Sequence, residues 1–199
     1  MAADIDAILR DIESCYDFTG KSVIHVGAGG GQFVGYAGKA RAVLGVDPDA
    51  AAVERLKDAV RQRGLTDRFR AVQGDFLTIS TRADVVFFEF CLHEIPDPRA
   101  ALRHARALAP GTLVADHAPG SLWSWYLCET EKVQGSWAAV EESNLVLDRR
   151  FEGAQRFRDH AELLAKVQAL GEPVVYRVER FHGRRDFTID MPYRVALRE

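Results

Sequence analysis

Cysteine is scarce and scattered. Cys15, Cys91 and Cys128 form no C-x-x-C pair, so neither a zinc knuckle nor a disulfide framework is indicated. No apolar run approaches the length of a membrane-spanning helix, about 18 residues or more. Met1-Ala2-Ala3-Asp4-Ile5-Asp6 lacks the charged-then-apolar pattern of a secretory leader. These absences lead to the expectation of a reducing, cytoplasmic location without membrane contact. Charge of one sign is also missing. The 26 Lys and Arg nearly balance the 29 Asp and Glu, leaving a formal net charge of −3. Nothing global draws such a chain to nucleic acid. Repeats, low-complexity tracts and interdomain linkers are absent too. What remains is a 199-residue chain, 47% hydrophobic and 28% charged, which fits one decorated domain.

Glycine is concentrated where it matters. Gly27, Gly29 and Gly31 follow the apolar run Val23-Ile24-His25-Val26 and precede a helix start. A second apolar run, Val43-Leu44-Gly45-Val46, ends on Asp47 and Pro48. Strand, glycine turn, helix, strand and acid describe a nucleotide-binding βαβ unit. The dinucleotide fingerprint G-x-G-x-x-G requires a glycine where this chain has Gln32, so the pattern present is G-x-G-x-G.

The rest of the chain continues the α/β rhythm. Helical spacing of Ile5, Ile8, Leu9, Ile12 and Tyr16 predicts an amphipathic helix over 4–16. Strands are predicted at 22–26, 42–46, 69–73, 85–90 and 112–115, with helices near 31–39, 48–63 and 99–108. The nearly continuous apolar strands suit a parallel sheet covered on both faces. Residues 119–152, with Trp123, Trp125 and Tyr126, break the rhythm as an insertion that is helical in its first half. A helix is predicted at 156–169, then two strands at 174–181 and 187–197 joined through Gly183-Arg184-Arg185-Asp186.

These motifs resemble the class I, Rossmann-like methyltransferases that use S-adenosylmethionine, in particular the small-molecule type. The resemblance runs from about Lys21 to the end of the chain. It rests on Gly27 to Gly31, Asp47-Pro48, Gly74-Asp75-Phe76 and Phe87-Phe88-Glu89-Phe90-Cys91-Leu92-His93-Glu94-Ile95-Pro96-Asp97. It implies an α/β fold with a seven-stranded, mostly parallel sheet of order 3-2-1-4-5-7-6, helices on both faces and a C-terminal antiparallel hairpin. Residues 1–199 would form a single domain, with 1–19 as an N-terminal cap helix and 119–152 on the substrate side.

The resemblance also implies roles. S-adenosylmethionine would be held by Gly27, Ala28, Gly29, Gly31, Asp47, Pro48, Asp75, Phe76 and Phe90. Asp47 would accept from the ribose hydroxyls and Asp75 from the adenine amino group. The backbone N–H of Phe76 would donate to an adenine nitrogen, and the Phe90 carbonyl would face the methionine ammonium. One position departs from the pattern: His25 stands two residues before Gly27, where the family usually has an acid. A buried, hydrogen-bonded histidine is the plain reading there, and it bears on cofactor affinity more than on cofactor identity.

Methyl transfer is a displacement at an already activated carbon, so the protein's main task is alignment in a dry pocket. His93 and His117, at the ends of the fourth and fifth strands, are the candidate proton acceptors. Tyr16, Trp123 and Tyr126 are the candidate substrate-side groups. Glu94 and Glu129 are further polar candidates that read as solvated or structural, and the arginine pairs read as a solvated face. No metal is expected, because His117 occupies the place of the amide that a catechol-type metal site needs. Convergence of the three cysteines would be required for metalloid chemistry. The absence of an Asp/Asn-Pro-Pro-Tyr/Phe run after the fourth strand favours a small-molecule acceptor, with O, N, S and C all open as the receiving atom. The alternatives are a non-catalytic S-adenosylmethionine-binding protein and an NAD(P)-dependent oxidoreductase. Oligomeric state is not legible.

Overall fold

The computed structural model describes residues 4–199. Helix α1 (Ile5–Cys15) leads into strand β1 (Ser22–Val26), a 3-10 turn at Val34–Gly38 and strand β2 (Ala42–Asp47). Helix α2 (Ala50–Gln62), β3 (Phe69–Gln73), β4 (Val85–Glu89), α3 (Pro98–Leu108) and β5 (Gly111–His117) complete the first half. Helices α4 (Leu122–Tyr126) and α5 (Thr130–Glu141) precede β6 (Leu147–Phe151) and β7 (Ala154–Asp159). Helices α6 (His160–Val167) and α7 (Glu172–Val178) then lead to β8 (Arg185–Asp190) and β9 (Tyr193–Arg198).

Seven strands form one sheet in the order β3-β2-β1-β4-β5-β9-β6. Numbered within that sheet alone, this is the expected 3-2-1-4-5-7-6. The pairs from β3 to β5 are parallel, while β9 runs antiparallel to both β5 and β6. Alternate residues along each strand feed two separate cores. Val23, Val85, Phe87, Leu113 and Val195 pack with Ile12, Tyr36, Leu56 and Val60 on one face. Ile24, Val86, Phe88, Val114 and Ala196 pack with Leu102, Ala105 and Trp137 on the other. Burial on both faces is why these strands read as unbroken apolar runs.

Local chemistry sets the helix starts. Asp4, Asp49, Asp97 and Asp159 each accept a backbone N–H of the first turn of α1, α2, α3 and α6. The α2 cap is therefore Asp49, which frees Asp47 from that duty. Gly64, at φ +65°, follows the end of α2.

The C-terminal third differs from the sequence reading. Residues 174–178 are helical, not a strand: Val174 and Val178 are buried one turn apart, and Tyr176 between them is 82% exposed. Pro173 in the first turn of α7 suits that start. Residues 154–159 pair with β8 as a separate two-stranded sheet, so the helix predicted from 156 begins at His160. The run 187–197 is two strands separated at Met191-Pro192. The antiparallel pair at the sheet's end is thus β6 with β9, and Gly183 to Asp186 does not join it. Residues 119–152 hold α4 and α5 as expected, but also β6. Residues 1–3 of the expected cap segment lie outside the described residues. Among the described residues no helix is long and apolar enough to cross a membrane.

Candidate active site

The glycine turn sits at the carboxyl end of β1. Gly27, Gly29 and Gly31 have φ of +72°, +48° and +76°, a region that costs other residues steric strain. A Cβ on Gly27 would lie 2.4 Å from the Cβ of Cys91, and one on Gly31 would lie 2.7 Å from the Cβ of Ala59. Gly29 is different: a Cβ there would meet only the Gly27 carbonyl at 3.6 Å. Packing therefore demands the outer two glycines, while the middle one leaves its surroundings open.

Asp47, at the end of β2, ties this turn to the next. One carboxylate oxygen accepts the Gly29 N–H at 3.0 Å and the other accepts the Asp49 N–H at 2.9 Å. A carboxylate offers about four lone-pair sites, so two remain after these bonds. Pro48 is exposed, and its carbonyl accepts from the Gln73 side chain at 3.2 Å. Asp75 is exposed and caps the 3-10 turn Phe76–Thr78 by accepting the Leu77 N–H. The Phe76 ring is buried edge-on against Phe88 and His104.

His25 is fully buried and bonded on both nitrogens. Nε2 lies 2.9 Å from Glu89 Oε2, and Nδ1 lies 3.0 Å from the Tyr36 hydroxyl. With Glu89 ionised, Nε2–H donates to the carboxylate and Nδ1 accepts from Tyr36. The ring also stacks on Phe87, with centroids 4.8 Å apart. Burial raises the pKa of Glu89, and the His25 hydrogen bond opposes that rise. The acid absent from β1 thus stands on the neighbouring strand, one residue beyond the Val26–Phe88 pair.

Beyond Glu89 the chain turns through Phe90, whose φ is +45°. Its ring stacks on Phe33 at 5.7 Å and lies 5.2 Å from His117. Here a cavity of about 380 Å³ opens. Glu89, Phe90, Gln32, Phe33 and His117 line the strand side, and Ile5 and Ile8 contribute from α1. Trp123, Leu127, Gln155, Lys166 and Met191 close the other side.

The two candidate histidines differ sharply. His93 Nδ1 lies 2.6 Å from Asp116 Oδ1, and its backbone N–H donates to Asp116 Oδ2 at 3.1 Å. Its Nε2 faces Glu129 Oε2 at 3.6 Å. Burial opposes a charge on this ring, but the Asp116 hydrogen bond and the Glu129 carboxylate overcome it and hold the pKa up at about 10. Burial pushes His117 down to about 4, against the pull of Asp116. His117 Nδ1 is buried without a hydrogen-bond partner.

Residues 24–115 match the sequence family described as "Methyltransferase domain". Over those residues, somewhat under half of the chain, the protein is similar to a methyltransferase domain. Solved structures share its fold over nearly the whole chain. Protein BH2331 of Bacillus halodurans C-125 superposes with a TM-score of 0.71 at 16% identity, covering 95% of this chain and 96% of that one. The YcgJ protein of Bacillus subtilis gives 0.70 at 14% identity, with 98% of each chain covered. Magnesium protoporphyrin IX methyltransferase of Synechocystis PCC 6803, solved with bound S-adenosylmethionine, gives 0.60 at 13% identity, over 98% of this chain and 78% of that one. At these identities the likeness is one of fold.

The open side of Gly29 and the two spare acceptor sites of Asp47 fit a ribose at the sheet's carboxyl edge. Of the substrate-side residues named from sequence, Trp123 lines the cavity beneath the Lys166 ammonium. Tyr126 does not line it; it packs on Phe181 at 5.3 Å, facing β8. Tyr16 lies at the far end of α1, where burial and then the charges of Asp84 and Glu199 raise its pKa. Asp84 bonds Ser22 at the start of β1, so Tyr16 stands at the end of the strands opposite the glycine turn. An 11-residue helix is about 16 Å long, enough to put Ile5 and Tyr16 at opposite ends of the sheet. Gln155 and Met191 were not legible as cavity residues, because the sequence misassigned their elements; Lys166 lies on an expected helix, but its spacing did not show that it faces the cavity. Asp116 and Glu129, whose types suit solvent, are instead held beside His93. Cys91 donates to the Val26 carbonyl at 3.2 Å, and among the described residues no cysteine joins a metal-ligand cluster.

Proposed function

We propose that this protein is a methyltransferase that acts on a small molecule seated in the cavity between Phe90, His117 and Trp123. The observation that carries the reading is the junction of two features at the ends of β1 and β4. The Asp47–Gly29 link presents acceptors for a ribose, and Glu89 and Phe90 border the cavity a short way along the same edge. The cavity volume lies within the roughly 300–1,000 Å³ range of small-ligand sites. Its lining is mostly apolar with a few polar groups, as in sites that exclude water around a small substrate.

S-adenosylmethionine supplies an activated methyl group on a sulfonium. Gly27, Ala28, Gly29 and Gly31 would pass their backbone close to its methionine end, and Asp47 would accept from its ribose. Pro48, Asp75 and Phe76 would border the adenine, and the Phe90 carbonyl with Glu89 would face the positive charges. Trp123, Phe33 and Leu127 would exclude water and fix the acceptor. Alignment of this kind supplies about 7–11 kcal/mol of a barrier, more than a single base contributes. His117, neutral at physiological pH and lining the cavity, is the better placed of the two histidines to take a hydrogen bond from an O, N or S nucleophile. His93, held protonated in the metal-free protein, would position charge rather than accept it.

Isothermal calorimetry with S-adenosylhomocysteine, NAD and NADP tests the reading. Binding of the first, lost in Asp47→Ala, supports it. Tight binding of a pyridine dinucleotide without S-adenosylhomocysteine binding refutes it. Formation of S-adenosylhomocysteine from S-adenosylmethionine across a panel of hydroxyl, amine and thiol acceptors then identifies the receiving atom.

A further inference from the structure

At His117 the cavity adjoins an arrangement that methyl alignment does not use. His93, His117 and Glu129 each bring one ligand atom to within 4.8 Å of the other two. They come from three elements: the turn after β4, the last residue of β5, and the residue preceding α5. All three side chains are largely shielded from solvent, with His93 and Glu129 side chains 2% and 13% exposed. Outside this group, Asp116 accepts from His93 at 2.6 Å through Nδ1.

That outer bond fixes the orientation of the ring. With Nδ1–H given to Asp116, His93 Nε2 faces the Glu129 carboxylate 3.6 Å away, carrying in the metal-free protein a proton that a metal ion would displace. Two acceptors facing each other in a buried place repel unless a proton or a cation lies between them. His117, with its ring centroid 5.4 Å from that of His93 and its Nδ1 unpartnered, adds a third donor to the same space. Two imidazoles and one carboxylate with a carboxylate behind one imidazole form the donor set of divalent transition-metal sites. Oxygen-loving Mg²⁺ and Ca²⁺ suit it poorly.

We propose that His93, His117 and Glu129 bind a divalent transition-metal ion of the zinc or iron(II) kind, with Asp116 positioning His93. This deepens the proposed small-molecule methyltransferase reading, because His117 lines the cavity and an ion held there presents its free coordination positions to the acceptor. The favoured substrates are then molecules with a metal-binding oxygen, nitrogen or sulfur next to the methylated atom. The ion also revises the sequence-based expectation that no metal is used. Glu89 and Asp116, the acids at the ends of β4 and β5, are committed to His25 and His93.

The test uses the full chain, stripped with chelator and freed of any affinity tag. A second histidine group, with His160 partly buried and Glu179 and His182 exposed, is silenced by His160→Ala and His182→Ala. In that background, Zn²⁺ is titrated by calorimetry and Co²⁺ by visible absorption. One equivalent of Zn²⁺ and a cobalt spectrum showing nitrogen coordination are expected. Glu129→Gln and His117→Ala should abolish the stoichiometric heat, and Asp116→Asn should weaken it about 10–100-fold. Unchanged Zn²⁺ binding in Glu129→Gln and His117→Ala overturns the proposal, as does no Zn²⁺ or Co²⁺ binding by the folded parent. S-adenosylhomocysteine binding, measured on the same samples, confirms that each variant is folded. It also separates the two claims: nucleoside binding without metal sinks only the metal site, whereas metal without nucleoside sinks the methyltransferase reading.

Discussion

His25 on β1 and Glu89 on β4 are joined by a 2.9 Å bond inside the sheet's carboxyl end, with Tyr36 holding the far nitrogen of the ring. The histidine fills the family's usual acid position, and the acid stands one strand over, held by that histidine. Glu89 is buried, and burial is the main cause of its raised pKa. A carboxyl whose folded pKa exceeds its unfolded value contributes stability that is complete below the unfolded value and lost as pH rises through the folded one.

Glu89→Gln should therefore gain on the parent as pH rises. The difference in urea midpoint between the two is expected to be small near pH 4 and to move in favour of the variant by about pH 8. The same variant should bind S-adenosylmethionine at least about tenfold more weakly, the order of one lost charge-assisted contact. A parallel pH dependence in both proteins would show that Glu89 does not titrate in this window.

Asp47→Ala removes the acceptors of two backbone N–H groups and, with them, the acceptors proposed for a ribose. Each charge-assisted bond is worth about 1.5–3 kcal/mol, so affinity for S-adenosylhomocysteine should fall at least about tenfold. Calorimetry provides the number. Retained affinity would remove Asp47 from the ribose site.

The glycines should separate in their effects. Gly27→Ala combines an unfavourable φ with a Cβ placed 2.4 Å from that of Cys91, and should lower stability by more than about 1–3 kcal/mol. Gly29→Ala meets only a carbonyl at 3.6 Å, so its cost should stay near the backbone term alone while ligand affinity drops. Denaturant titration together with ligand titration distinguishes the two.

Tyr16→Phe supplies the contrast. The hydroxyl lies towards Asp84, at the end of the sheet away from the glycine turn. Affinity for S-adenosylhomocysteine and turnover should be unchanged. A loss of binding in this variant would contradict the placement of α1.

Much of this was legible because burial on both faces writes itself into composition. The runs at 22–26, 42–46 and 85–89 carry apolar residues that serve opposite cores, and the glycine turn and Asp47 fall at the ends of the first two. Legibility fails where local pattern and tertiary partner disagree. Val174-Val175-Tyr176 has strand-forming side chains, yet Val174 and Val178 face the core one helical turn apart. Leu147 to Phe151 carries Asp148, Arg149 and Arg150 because it is an edge strand, where charge guards an open side. At the site, His93 and His117 were visible as residues after strands. Their unequal surroundings were not, since Asp116 and Glu129 reach them only through the fold. Tyr16 shows the converse: helical spacing named the face it lies on but not which end of the sheet it meets.

The position of β9 has a consequence for how the chain matures. Its register sets Tyr193 opposite His117 and Leu197 opposite Leu113, between two strands that both precede it in the chain. During synthesis the flank of β5 stays unpaired while β6, β7 and β8 emerge, and the wall carrying His117 closes only when Tyr193 arrives. Long-range closure of this sort is slow, and it leaves a naked strand edge for a chaperone or a second nascent chain to grasp.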